Sequence, residues 1–103
     1  MWAQLMTMTV NAGRDVDLPG LLEKLHEGEQ EGSGLLRTMV FQDQSDPTVI
    51  RVLVLFESEE KARAREQDPR REQALESARA LMREVFAGPP EFVNLNVLED
   101  VAN

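Results

Sequence analysis

Residues 48–56 read TVIRVLVLF, and every one except Arg51 is apolar or β-branched. Side chains along a strand alternate between its two faces. This strand is therefore apolar on both: Arg51, Leu53 and Leu55 on one, Val52, Val54 and Phe56 on the other. Such a strand belongs inside a sheet that is covered twice. A chain of 103 residues holds one domain, expected to span 1–103, with little material for a second cover.

The neighbouring segments define the sheet. Residues 2–10, WAQLMTMTV, alternate as a first strand, with Trp2, Met6, Met8 and Val10 on one face and Gln4 among them. Ala3, Leu5, Thr7 and Thr9 take the other face. A helix is expected from Asp17, with Pro19 in its first turn and Leu18, Leu21, Leu22 and Leu25 as its apolar stripe. LLRTMVFQ, residues 35–42, is a second strand, with Leu35, Arg37, Met39 and Phe41 facing one way and Leu36, Thr38 and Val40 the other. The turn DQSDP then joins it to the third strand as a hairpin. Ser58 is placed to cap a short helix, and Asp68-Pro69 to restart it. Leu75, Ala78, Met82 and Val85 form the stripe of the longer half, with Leu81 and Phe86 beside it. Gly88 and two prolines end it. EFVNLNVLE is a last strand, in which Asn94 and Asn96 alternate with Val93, Leu95 and Val97. The order β-α-β-β-α-β predicts an α+β, ferredoxin-like fold, a four-stranded antiparallel sheet with helices on one face.

That arrangement leaves the second sheet face without a cover, although its residues are not polar. Burying four large apolar side chains there contributes at most about 6–12 kcal/mol. A second copy packed sheet to sheet is the expected partner, through Arg37, Met39, Phe41, Arg51, Leu53 and Leu55. Arg37 and Arg51 are expected near each other on that face, as interface arginines or as an anion site within the dimer.

Charge and composition exclude several function classes. The net charge of −8 argues against nucleic acid and anionic membrane surfaces as partners. No cysteine is present, which removes disulfides, thiolate nucleophiles and cysteine metal sites. No apolar run is long enough to cross a membrane, and the N-terminus lacks a basic leader, so a cytoplasmic protein is expected. Seven of the eleven basic residues lie between Lys61 and Arg83, interspersed with Glu66, Asp68, Glu72 and Glu76. They read as a solvated helix face. Glu57, Glu59 and Glu60 are explained by helix capping and the macrodipole, and no spacing resembles a metal site.

LVLFESEEKA, then DPRREQALESARALM, then GPP and a closing strand, together resemble the antibiotic-biosynthesis monooxygenase family of dimeric α+β barrels. The glycine-flanked EGSGLLRTMVFQD fits as well, so the resemblance covers essentially the whole chain. It implies a homodimer with a pocket between sheet and helices in each subunit. It also implies oxidation of aromatic polyketide or quinol substrates by oxygen, or haem degradation in some members. In the cofactor-free members the substrate is itself the reductant. Polyketide oxygenases of this kind carry a tryptophan where this chain has Phe56, an asparagine at Val52 and a tyrosine at Ala62. Haem-degrading relatives ligate iron through a helix histidine, and the matching region here lies around Leu75.

The expected pocket lining is Trp2, Met6, Met8, Leu22, Val52, Val54, Phe56, Leu75 and Met82. These residues serve equally as core packing or as a soft wall for a flat aromatic ligand. His26, the single histidine, is either a solvated boundary residue or a base near neutral pH. Asn94 and Asn96 serve the dimer or the pocket, according to the face they take. Two readings follow: a dimeric barrel binding a small aromatic ligand without turnover, or an active monooxygenase needing no metal or other cofactor.

Overall fold

The computed structural model describes residues 1–11, 23 and 32–103, without the side chains of residues 74, 75, 77, 78, 81, 82 and 84. The elements are β1 (Trp2–Thr9), β2 (Leu35–Gln42), β3 (Val49–Phe56), α1 (Glu59–Glu66), α2 (Pro69–Val85) and β4 (Glu91–Asn96). Glu23, between β1 and β2, is helical. The remainder of the helix expected from Asp17, including Leu18, Leu21, Leu22 and Leu25, lies outside the described residues, as does His26. The strands form one antiparallel sheet in the order β2-β3-β1-β4. This is the ferredoxin-like β-α-β-β-α-β arrangement, with its second helix broken into α1 and α2.

Local chemistry accounts for the element boundaries. The Ser58 hydroxyl accepts a hydrogen bond from the Lys61 amide at 3.2 Å, which caps α1. Glu59 and Glu60 occupy the positive end of that helix. The break falls at Gln67-Asp68, where Pro69 cannot continue the hydrogen-bond ladder. Asp68 then caps α2, its carboxylate accepting from the Arg70 amide at 2.9 Å. In the β2–β3 turn, Asp43 accepts from the Ser45 and Asp46 amides at 2.8 and 3.1 Å. Asp46 in turn accepts from the Thr48 amide and hydroxyl at 3.1 and 2.6 Å. Past α2, Gly88 takes a φ of +118°, a region open to glycine, and the chain turns into β4.

The core lies on the helix side of β1 and β3. Met8, Ile50 and Val52 pack with Val85 and Phe86 from the end of α2 and just beyond it. Trp2 and Phe56 pack with Ala62 of α1. Backbone bonds from Asn11 to Val85 and from Ala87 to Thr9, both 2.8 Å, tie the end of α2 to the end of β1. The side chains of Leu75, Ala78, Leu81 and Met82 lie outside the description.

The facing at the start of β2 differs from the sequence expectation, for Leu35 and for Leu36, which lies with Arg37 and Met39 rather than with Thr38 and Val40. Leu35 pairs with Phe56, but Arg37, not Leu36, pairs with Leu55, because β2 is irregular between Leu35 and Arg37. An extra residue in one strand of a pair shifts the facing of everything before it. Leu35 therefore packs against the Trp2–Phe56 cluster rather than sharing a face with Arg37, Met39 and Phe41.

Candidate functional site

Strand register sorts the helix-side face into rows running from β4 through β1 and β3 to β2. The first row is Asn96, Trp2, Phe56 and Leu35. The second is Asn94, Gln4, Val54 and Thr38, and the third Phe92, Met6, Val52 and Val40. Met8, Ile50 and Gln42 follow in β1, β3 and β2. Trp2, Met6, Met8, Val52, Val54 and Phe56 thus share the face expected of them. Leu22 and His26 are outside the described residues, and Leu75 and Met82 are placed only by their backbone in α2.

The register also decides the facing of Asn94 and Asn96, which sequence alone left open. Both lie on the helix side, beside Gln4 and Trp2. The Gln4 amide NH₂ donates to the Asn94 side-chain carbonyl at 3.1 Å. That bond engages the Asn94 oxygen, and the Asn94 NH₂ is a further donor on this exposed side chain. Gln4 is half-buried, while Asn94, Asn96 and Phe92 are exposed along the edge strand. The result is an apolar floor with an amide border on its β4 side. Gln4 was visible in the sequence as the one polar residue in the apolar file of β1. Its importance depends on a partner 90 residues away, and only pairing brings that partner in.

The centre of the floor, away from the Trp2 indole N–H and the Gln4 amide, is apolar. Val52, Phe56 and Ala62 are buried, and none carries a side-chain donor. The rings of Trp2 and Phe56 are tilted at 47° with centroids 6.0 Å apart. Arg63 lies 5.3 Å over the Trp2 ring and Arg65 5.3 Å over Phe56, so two cations cap this aromatic end. Among the described residues no group of histidine, cysteine or carboxylate side chains is placed to hold a metal ion. Among them, too, no helix is long and apolar enough to cross a membrane.

The opposite face carries Ala3, Leu5, Met39, Leu53, Leu55, Val93 and Leu95. A groove of about 850 Å³ lies between this face and the chain that follows β4, with Arg37, Met39, Leu53 and Leu55 in its wall. Arg37 pairs with Leu55 and Arg51 with Phe41, so the two arginines share a face without being neighbours. Four residues of strand separate their positions, about 13 Å. Arg51 is bound instead to Asp43 at 2.7 Å, at the hairpin end. This pairing, with two backbone amides, holds the Asp43 carboxyl below the usual carboxylate range. An anion site shared by Arg37 and Arg51 is therefore not formed within the subunit.

The model of the antibiotic biosynthesis monooxygenase family matches residues 1–77. Solved structures repeat the fold over nearly the whole chain. A protein from Chloroflexus aurantiacus, provisionally assigned to antibiotic biosynthesis monooxygenases, is 23% identical with a TM-score of 0.68, covering 98% of this chain and 96% of its own. A variant of SnoaB, a cofactor-independent oxygenase from Streptomyces nogalater, is 10% identical with a TM-score of 0.73, covering 99% and 97%. A conserved protein from Methanosarcina mazei is 14% identical with a TM-score of 0.71, covering 91% and 89%. No curated protein matches the chain by sequence. The family match extends from β1 into α2, through both strands of the apolar floor and the helix break, and the chain belongs to the antibiotic biosynthesis monooxygenase family.

Proposed function

We propose that this protein is a cofactor-independent monooxygenase of quinol- or anthrone-like aromatic substrates, working as a homodimer closed through its open sheet faces. The observation that carries the reading is the Gln4–Asn94 amide pair, with Asn96 one row away, at the border of an apolar floor. A substrate that is its own reductant must lose a proton and then react with oxygen. Apolar walls desolvate it, and amide N–H groups stabilise the oxyanion that develops. In the anthrone case a ring CH₂ and O₂ become a C=O and water. One oxygen atom joins the carbon, and the other leaves with the two hydrogens. His26 is the proposed proton acceptor. The dimer is supported by Leu36, Phe41 and Val93, which are exposed on or beside the open face around Met39, Leu53 and Leu55.

Oxygen uptake measured against a panel of anthrones and quinols tests the reading. Consumption should match quinone formed, and Asn94→Ala should lower kcat about 10²–10³-fold, the usual loss for one oxyanion donor. Absence of uptake with every member of the panel overturns it. A second reading, ligand binding without turnover, is favoured by the buried Val52, Phe56 and Ala62, which supply no polar group where the polyketide oxygenases carry one. Quenching of Trp2 fluorescence by an aromatic ligand, with no oxygen consumed, selects it.

A further inference from the structure

Most basic residues of α1 and α2 are exposed among carboxylates, the solvated helix face expected of them, but Arg65 and Arg71 are half-buried. Several pair along the surface: Arg70 grips Asp68 through two nitrogens at 2.8 and 3.1 Å, and Arg79 grips Glu72 at 2.7 and 2.8 Å. Lys61 is bound to Glu57, and Arg63 reaches Glu66 at 3.5 Å. Arg71 makes none of these ion pairs. It is half-buried, and its Nε is buried with no hydrogen-bond partner among the described residues. A buried guanidinium donor without an acceptor is unfavourable, and native structures seldom leave one so.

Arg71 lines a cavity of about 150 Å³ between the start of α2, the end of α1 and the Gly32-Ser33 turn, together with Ser33, Lys61, Arg65, Asp68 and Arg70. Among the described lining residues four are cations, and the one carboxylate, Asp68, is already held by Arg70. Gly34, next to this wall at φ +85°, has the Lys61 stem so close that a Cβ there would lie 2.7 Å from it, which keeps Lys61 against the turn. The charges strain against one another. Burial, then the neighbouring Arg71 charge, lowers Arg65 to about 10, against a smaller opposing effect of Glu66. Burial and the Arg79 charge likewise lower Arg71, opposed by Glu66 and Glu72. Both remain cationic at neutral pH.

We infer that this cavity is a binding site for one oxyanion group, a phosphate or a carboxylate, gripped by Arg71 and Arg65 with Lys61 and Ser33 at its edge. A planar guanidinium fork matches either group through two parallel hydrogen bonds, and an anion would relieve the repulsion between the arginines. A volume of about 150 Å³ suits a single anionic group rather than a polymer, and the overall charge of −8 opposes a nucleic acid. Among the described residues no strand residue lines this cavity, and the inference does not depend on the oxygenase reading, although Arg65 also lies over the Phe56 ring.

Titration of the full-length protein with inorganic phosphate and, separately, with acetate, followed by amide and arginine side-chain NMR at constant ionic strength, tests it. Saturable shifts confined to Ser33, Lys61, Arg65 and Arg71 are expected with at least one of the two, and the arm that saturates identifies the group. Arg71→Gln should weaken that binding about tenfold or more, as loss of a charge-assisted hydrogen bond does. Arg83→Gln, outside the cavity, should leave it unchanged. Arg65→Gln carries the same test if Arg71→Gln does not fold. No saturable shift with either anion, or equal weakening by the cavity variant and Arg83→Gln, overturns the proposal.

Discussion

The two faces of the sheet are built from the same kinds of residue and end in different states. On the helix side Ile50 and Phe56 are each 2% exposed, under α1 and the end of α2. On the other side Phe41 is 45% and Val93 51% exposed, although their sequence environment is as apolar. Hydrophobicity thus decides that a strand seeks cover, and the connections between strands decide which face receives it. The comparison extends to β4, whose Phe92 lies on the helix side yet remains exposed at the sheet edge, beside the Asn94 and Gln4 amides. The covered part of that face is core, and its uncovered edge carries the only amide pair described there.

The largest expected effect probes the open face. Introducing charge through the double substitution Leu53→Glu and Leu55→Glu should convert a dimer to a monomer in sedimentation at micromolar concentration, removing at most about 3–6 kcal/mol of apolar burial from the contact. A wild-type protein that is monomeric under the same conditions breaks the proposed sheet-to-sheet dimer. Next, Phe56→Ala should cost about 3–5 kcal/mol in denaturant unfolding, as emptying a core site does. Phe41→Ala should cost far less when the protein is dilute, and progressively more as concentration rises, if a second copy covers it. Equal costs independent of concentration would erase the difference between the faces.

Smaller effects sharpen the role of the helices that make one face a core. Ser58→Ala should remove about 1 kcal/mol of stability by uncapping α1, the helix that places Ala62 over Phe56 and Trp2. The smallest change concerns Asp43, whose folded-state carboxyl is held low by Arg51. Its contribution is therefore present above the ordinary carboxylate range and lost as the pH falls through the lowered value. Asp43→Asn should flatten the acid limb of a stability–pH curve, below the ordinary carboxylate range, while leaving the curve's shape near neutrality unchanged. An unchanged acid limb would show the Arg51 pairing to be without energetic effect.

Much of the fold was legible because its signals are local. The ends of β2, the Ser58 cap and the Asp68-Pro69 restart depend on residues within a few positions of one another, and each appears where expected. The candidate site was less legible, because it is made by pairing. Asn94 and Asn96 alternate with apolar residues whichever way β4 faces, and only its register with β1 brings Asn94 to Gln4. Leu35 changed face because of one irregular step in β2, which period-two alternation does not foresee. Arg37 and Arg51 shared a face as expected but were separated by register, and the Asp43 turn claimed Arg51.

By itself, the sequence determined that β3 must lie inside a sheet, that the second helix breaks at Pro69, and that the chain resembles a monooxygenase family lacking its usual polar residues at Val52, Phe56 and Ala62. These follow from side-chain alternation, capping chemistry and residue identity, all properties of short stretches of chain. Only the tertiary structure decided that the amides of Gln4 and Asn94 meet at the edge of the apolar floor. Only it gathered Arg65 and Arg71, six positions apart and on opposite sides of a helix break, around one cavity. Both are contacts between elements, and their geometry depends on how the chain folds back on itself.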